Sequence, residues 1–294
     1  VLKTISLVTL AMFAFAANSL LCRMALVHTD VDPVSFTVAR IAGGAWALLI
    51  LSFIFYRQFA KNKGLSTIDL LQRGASVVGG ISLFAYAALF SFAYINMSTG
   101  AGALLLFGSV QLTMLSAGKM KGEAFGSIQS VGIAIAFVGL IILLFPSTTT
   151  PPLGSAVMMV LAGIAWGIYS IEGKKSKYAL ITTAGNFVYA GVLCALMLII
   201  LFVTNTLSLS YDINGLTLAL LSGVFASACG YAIWYSVLPL LTSSTAATIQ
   251  LSVPVIATFM GWIILSEKLT LQIVIASLVT LGGISLTIKS KTKN

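Results

Sequence analysis

The sequence predicts an all-α polytopic membrane protein, ten transmembrane helices in two inverted five-helix repeats. Three observations lead there: a scarcity of charge, a succession of apolar runs near 20 residues long, and basic residues confined to alternate links. Lys and Arg number 16 and Asp and Glu 7 among 294 residues, so charged residues make up 8% of the chain and hydrophobic ones 59%. A soluble domain carries about 25% charged residues to cover its surface. With a mean hydropathy of +1.07, this chain must use lipid as solvent. That excludes a soluble enzyme, a nucleic-acid module and a disordered protein. The net charge of +9 is a matter of topology rather than of binding nucleic acid.

A helix needs about 20 apolar residues to cross the hydrocarbon core. In chain order the runs are Ile5–Val27, Val34–Tyr56, Ala75–Met97, Thr99–Ala117, Phe125–Pro146, Gly154–Ile171, Thr182–Val203, Gly215–Leu238, Ser244–Leu265 and Leu271–Ile288. The first opens behind Lys3. The second follows Asp32-Pro33, an N-cap and a first-turn proline. The third follows the longest polar link, Arg57–Arg73, and the sixth follows Thr148–Pro152, which cannot continue a helix. The cysteines Cys22, Cys194 and Cys229 lie inside apolar runs without metal or disulfide spacing, and read as small buried apolar residues.

Numbering ends and links alternately, one set carries Lys3; Arg57, Lys61, Lys63 and Arg73; Lys119 and Lys121; Lys174, Lys175 and Lys177; and Lys289, Lys291 and Lys293. The other set carries Lys268 alone, while Arg23 and Arg40 lie within spans. Since basic residues stay on the cytoplasmic side, both termini are expected in the cytoplasm and the chain in the cell inner membrane. Lys3, the first apolar run and Ala14-Phe15-Ala16 also mimic a secretory signal. Apolar character running on to Val27 favours a retained helix over cleavage.

The halves resemble each other. Thr99-Gly-Ala-Gly-Ala-Leu-Leu-Leu-Phe-Gly-Ser-Val-Gln, leading to Gly122-Glu123, parallels Ser244-Thr-Ala-Ala-Thr-Ile-Gln-Leu-Ser-Val-Pro, leading to Ser266-Glu267. Glu123 to Glu267 and Gly139 to Gly283 are each 144 residues apart. Units at 1–147 and 148–294, each of five spans, must enter the membrane in opposite senses, as in many secondary transporters.

Ten helices as a 5 + 5 repeat, Asp32-Pro33 followed by Arg40, and Pro254 before Ser266-Glu267-Lys268-Leu269-Thr270 resemble the EamA-type drug/metabolite transporter superfamily. In the first half Gln111 stands where that family often has proline. The resemblance implies transport of amino acids or other small metabolites, mostly export, with import known.

Arg40 is the foremost candidate for contact with substrate. An arginine at mid-helix costs about 2.5–3.5 kcal/mol on insertion scales. It faces either a cavity, pairing with a substrate carboxylate or phosphate, or backbone carbonyls in a structural role. Arg23, near Asp30 and Asp32, reads as a snorkelling side chain or local ion pair. Of the uncharged polar residues within spans, Asn18 and Gln250 are preferred for the cavity, Gln111 is a further candidate, and Asn186 reads as a helix-joining residue. Pro254 is expected to break the ninth span. Tyr86, Trp234 and Tyr231 are expected as cavity walls. Trp166 is another wall candidate, although with Tyr169 it could instead anchor the interface. Gly163-x-x-x-Gly167 and Ser222-x-x-x-Ala226-x-x-x-Gly230 read as close-packing faces.

All seven acidic residues fall in links or at span ends. No mid-membrane carboxylate is present to carry protons, which favours facilitated diffusion or another coupling. No phosphate-binding loop or serine–base pair is found, so an ATPase or intramembrane enzyme is disfavoured. The sequence therefore reads as a monomeric carrier in the lipid bilayer that moves a small-molecule substrate by alternating access, without metal, cofactor or nucleic acid. The cargo expected is an amino acid or related carboxylate, exported. Import of a metabolite or cofactor is the alternative, ahead of a channel or receptor.

Overall fold

The computed structural model describes residues 2–120, 126–144, 151–241, 246, 249–250 and 252–291, and every regular element among them is helical. Helix α1 (Leu2–His28) leads to α2 (Pro33–Asn62), whose N-cap is Asp32. The Asp32 carboxylate accepts from the amides of Val34 (2.7 Å) and Ser35 (3.0 Å) ahead of the first-turn proline. The Arg57–Arg73 stretch, read as a polar link, is largely helical. Helix α2 runs on to Asn62, anchored by Tyr56 and Phe59 packing on Tyr178 at 6.0 and 5.3 Å. Gly64 then turns the chain at φ +66°, a conformation glycine adopts without strain. A Ser66/Asp69 capping box starts the short helix α3 (Thr67–Gly74).

The chain continues through α4 (Val77–Tyr94), α5 (Thr99–Met120), α6 (Ser127–Leu144), α7 (Leu153–Gly173) and α8 (Ala179–Val203). The predicted eighth span is not one regular helix. It comprises α9 (Ile213–Leu221), a π-helical segment (Ser222–Cys229), α10 (Gly230–Val237) and a 3₁₀ turn (Leu238–Leu240). Helices α11 (Ser252–Leu265) and α12 (Leu271–Lys291) complete the described chain.

Among the described residues seven helices are long and apolar enough to cross a membrane, counting Ile213–Leu240 as one, and Ser127–Leu143, Ser252–Leu265 and Leu271–Gly283 are shorter apolar helices. Large apolar side chains such as Phe55, Ile263 and Leu278 face outward, as a lipid-solvated surface requires. The chain is an all-α polytopic membrane protein.

The helices pack in matched pairs. Helix α7 lies on α4 and α5, while α1 lies on α9–α10 and α11; α2 meets α8, α5 meets α11, and α6 meets α12. Small residues permit these approaches. A Cβ added at Gly163 would run into the Leu106 carbonyl, and one at Gly167 would meet the Thr113 side chain at 2.8 Å, so the Gly163/Gly167 face seats α7 on α5. A Cβ at Gly223 would strike the carbonyl of Arg40, so α2 and the π segment touch backbone to backbone.

The ends of the bundle differ. At the basic face, Lys63 Nζ donates to the Tyr178 hydroxyl (3.3 Å), and Ser76 joins Glu172 and Asn186. At the far face, the α1–α2 and α8–α9 links clasp each other: Asp30 N donates to Asp212 Oδ2 (2.7 Å) and Ser210 N to Asp32 Oδ2 (2.8 Å).

Candidate functional site

The centre of the bundle is polar and closed. Arg40, one to two turns into α2, has no solvent exposure. Its Nε donates to Ser227 Oγ (3.0 Å) and its Nη2 to the Tyr231 hydroxyl (2.8 Å). The guanidinium carbon lies 5.1 Å from the ring centroids of both Tyr86 and Phe90. Nη1 is buried and makes no hydrogen bond. Among the described residues no ion pair reaches Arg40; the salt bridges are Arg23–Glu267 and Lys175–Glu172. A buried cation held only by hydroxyls and ring faces is under-compensated.

Asn18 organises the other side of this network. Its Nδ2 donates to the Tyr86 hydroxyl (2.9 Å) and, more loosely, to that of Tyr231 (3.5 Å). Its Oδ1 accepts from Ser222 Oγ (2.6 Å) and Ser227 Oγ (3.4 Å). Ser222 and Ser227 are five residues apart, which in an α-helix would set them about 140° apart around the axis. The π winding, with its i→i+5 bonding, brings both onto the face that meets Asn18.

An aromatic layer closes over the network. Trp166 lies 4.5 Å from Tyr231 and 5.0 Å from Tyr86, and Phe15 packs on Trp166, Tyr231 and Trp234 at 5.3, 5.8 and 5.9 Å. Trp166 Nε1 donates to Gln250 Oε1 (3.2 Å). The interfacial-anchor reading of Trp166 and Tyr169 is thereby corrected. Both are buried inside the bundle, because α7 packs on α4 and their rings lie against Tyr231 and Tyr235 of α10 rather than facing lipid.

Of the sequence candidates, Arg40, Asn18, Tyr86 and Tyr231 form one connected set, and Trp166 and Gln250 flank it. Trp234 is buried beside Phe15 with its indole N–H unpartnered. Gln111 is buried on α5, three residues before Met114, whose sulfur lies 3.8 Å from Gln250 Nε2. Pro254 is buried in the first turn of α11, and the continuity of the helix before it involves residues 247–248 and 251, outside the described set. The partners of Arg23 differ from the expectation. Its Nη1 donates to the carbonyls of Tyr94 and Ile95 (2.8 Å each), and its Nε lies 3.5 Å from Glu267, not beside Asp30 or Asp32. Those two aspartates are engaged by the α8–α9 link.

Sequence reading took Ser222 only as part of a close-packing face and did not place Ser227, Phe15 or Phe187 at the site, the last packing on Tyr231 at 6.0 Å. Phe15 could have been found from its position three residues before Asn18, on the same helix face. Nothing in the local sequence announces the π register that recruits the two serines.

Residues 153–289 match the EamA-like transporter family. The chain is 45% identical to an uncharacterized protein of Pseudomonas aeruginosa, PA1977, over 97% of this chain and 94% of that one. It is 29% identical to an uncharacterized transporter of Archaeoglobus fulgidus, over 89% and 90% of the two chains. A crystal structure with 15% identity superposes at a TM-score of 0.67 over 99% of this chain and 98% of that chain, which establishes the fold. On these relationships the chain belongs to the EamA-type drug/metabolite transporter superfamily and is a multi-pass membrane transporter.

Proposed function

We propose that the protein is a secondary carrier for a small organic anion, an amino acid or related carboxylate, with Arg40 as the group that receives the negative charge. One observation carries the reading: a fully buried guanidinium with an unpartnered Nη1 and no carboxylate partner among the described residues. A carboxylate arriving there would pair with a charge that the protein leaves unmatched. The aromatic layer of Tyr86, Trp166 and Trp234 would cover an apolar part of the cargo, and Asn18 and Tyr231 would orient its polar part.

The site lies where units 1–147 and 148–294 meet, and we read these units as inverted repeats that exchange access between the two faces. The matched packing supports this: α4–α7 has a counterpart in α1–α9/α10, and α5–α7 in α1–α11, while α2–α8, α5–α11 and α6–α12 are self-related. In this account the closed centre is an occluded state. Export across the inner membrane, with cytoplasmic termini and a monomeric carrier, completes the proposal.

A second reading has its own support, since Ser227, Tyr231 and two ring faces already hold Arg40 as a structural post. A thermal-shift screen of purified protein against amino acids, organic acids and nucleosides separates the two. The carrier reading expects stabilisation by one class of carboxylate, lost in Arg40→Ala. A structural post predicts lower stability in Arg40→Ala with the ligand response intact.

A further inference from the structure

An unexplained feature is a cavity of about 710 Å³ at the basic face, none of whose lining residues belongs to the Arg40 network. Lys63, Arg73, Lys175 and Lys177 line it, with Glu172 as the one acidic residue among the described residues of its wall. Topology requires cations on this face, but it does not require them to converge on one hollow. Arg57, Lys61 and Lys119 serve topology equally well and stand elsewhere.

The cations are also positioned. Lys63 closes α2, and its Nζ bonds the Tyr178 hydroxyl and sits 4.7 Å from the Phe59 ring and 5.8 Å from that of Tyr178. Arg73 is carried by α3, fixed at its start by the Ser66/Asp69 box. Lys175 and Lys177 come from the α7–α8 link, so both halves of the chain contribute. Glu172 is already engaged, by Lys175 and by the Ser76 hydroxyl. Among the described residues Lys63 and Lys177 thus make no salt bridge and Arg73 has Asp69 of its own helix as its carboxylate neighbour, so positive charge is in excess around a hollow of metabolite size, an arrangement that focuses anions.

The cavity wall also leads inward. Ser76, part of that wall, donates its backbone N–H to Asn186 Oδ1 (2.9 Å). The Nδ2 of Asn186 is buried without a partner, and so is the Tyr169 hydroxyl. The Tyr169 ring lies 6.1 Å from that of Tyr231, which holds Arg40. A chain of contacts through Ser76, Asn186, Tyr169 and Tyr231 therefore connects the cavity wall to the central guanidinium.

We infer that this cavity is a second anion-binding site, a loading vestibule that captures a phosphate- or carboxylate-bearing solute at the basic face before it passes to Arg40. As a step in transport this rests on the proposed carrier function; as a binding site it stands on the cavity itself. The chemistry would equally accept the headgroup of an anionic lipid, and the experiment distinguishes the two sources.

Inorganic phosphate is titrated into the full chain in phosphatidylcholine nanodiscs, with binding followed by ³¹P line broadening. Arg73→Gln/Lys177→Gln is expected to weaken phosphate about tenfold, while Arg73→Lys/Lys177→Arg and Arg40→Ala stay within about twofold of the parent. Binding should also fall as salt is raised. Repeating the titration in nanodiscs rich in phosphatidylglycerol assigns the occupant. Unchanged phosphate binding supports a soluble solute, whereas displacement identifies a lipid headgroup and overturns the loading step. Parent-like binding in Arg73→Gln/Lys177→Gln overturns the site. Loss in Arg40→Ala alone places phosphate at the centre, which rejects the vestibule and leaves the Arg40 reading standing.

Discussion

Glu267, just beyond the end of α11, grips the first residue of α5: both carboxylate oxygens accept from the Thr99 backbone N–H at 2.9 Å, and Oε1 also accepts from Thr99 Oγ1 at 3.0 Å. The carboxylate therefore sits at the positive end of a buried helix, with Arg23 beside it at 3.5 Å. One acidic residue of the second half thus joins α1 and α5 of the first at the far face. Glu267→Ala is expected to destabilise the protein by about 2–3 kcal/mol, the value of hydrogen bonds to a charged group, with Glu267→Gln intermediate. Thermal unfolding of the purified variants measures both.

The contact between α2 and the π segment gives a sharp steric prediction. A methyl group at Gly223 collides with the backbone carbonyl of Arg40, which has no side-chain rotation to relieve it. Gly223→Ala should cost about 1–3 kcal/mol and shift the Arg40 network. Gly154→Ala, where an added Cβ meets nothing within 4 Å, should be close to neutral. Melting temperatures of the pair test the claim, and equal values would contradict it.

The two central tyrosines should not be equivalent. Tyr231→Phe removes the acceptor of Arg40 Nη2 and leaves a second guanidinium nitrogen unpaired, an expected loss of about 1.5–3 kcal/mol. Tyr86→Phe deletes an acceptor of a neutral amide, worth about 0.5–1.5 kcal/mol. Denaturant unfolding of the two variants gives the order, and a larger effect at Tyr86 would contradict it.

At the far face, Asp212 caps α9 through the Gly215 amide (2.8 Å) and also accepts from Asp30 N. The Gly215 N–H, followed by that of Asp30, holds its carboxyl below the usual carboxylate range. A depressed folded pKa means a contribution that is full at neutral pH and fades as pH falls through the folded value. Asp212→Ala should therefore melt lower than the parent at pH 7, and the gap should narrow in acid. A gap that is constant with pH would show that the carboxylate charge is not involved.

The architecture was legible in the sequence because lipid imposes a strict rule: apolar runs of spanning length, with cations between them. Arg40, Asn18, Tyr86 and Tyr231 were legible for a related reason, since polar groups this deep must find one another. Features set by tertiary geometry were not. The π register of Ser222–Cys229 arises where α2 presses on Gly223 and Asn18 draws two serines to one face. Arg23 was matched to aspartates nearby in sequence, while the carboxylate it meets, Glu267, lies more than 200 positions away, across the fold. The helical run from Tyr56 to Asn62 depends on Tyr178, which no local pattern reveals.

The account turns on the guanidinium at the bundle centre, and counterflow in sealed proteoliposomes examines it most directly. Vesicles loaded with whichever carboxylate stabilises the purified parent should accumulate the labelled compound with saturable kinetics. Arg40→Ala should abolish exchange and Arg40→Lys retain a fraction of it, since an ammonium keeps the charge and loses the fork of donors. Exchange at parental rate by correctly folded Arg40→Ala would show that the buried charge serves the helices and not the cargo.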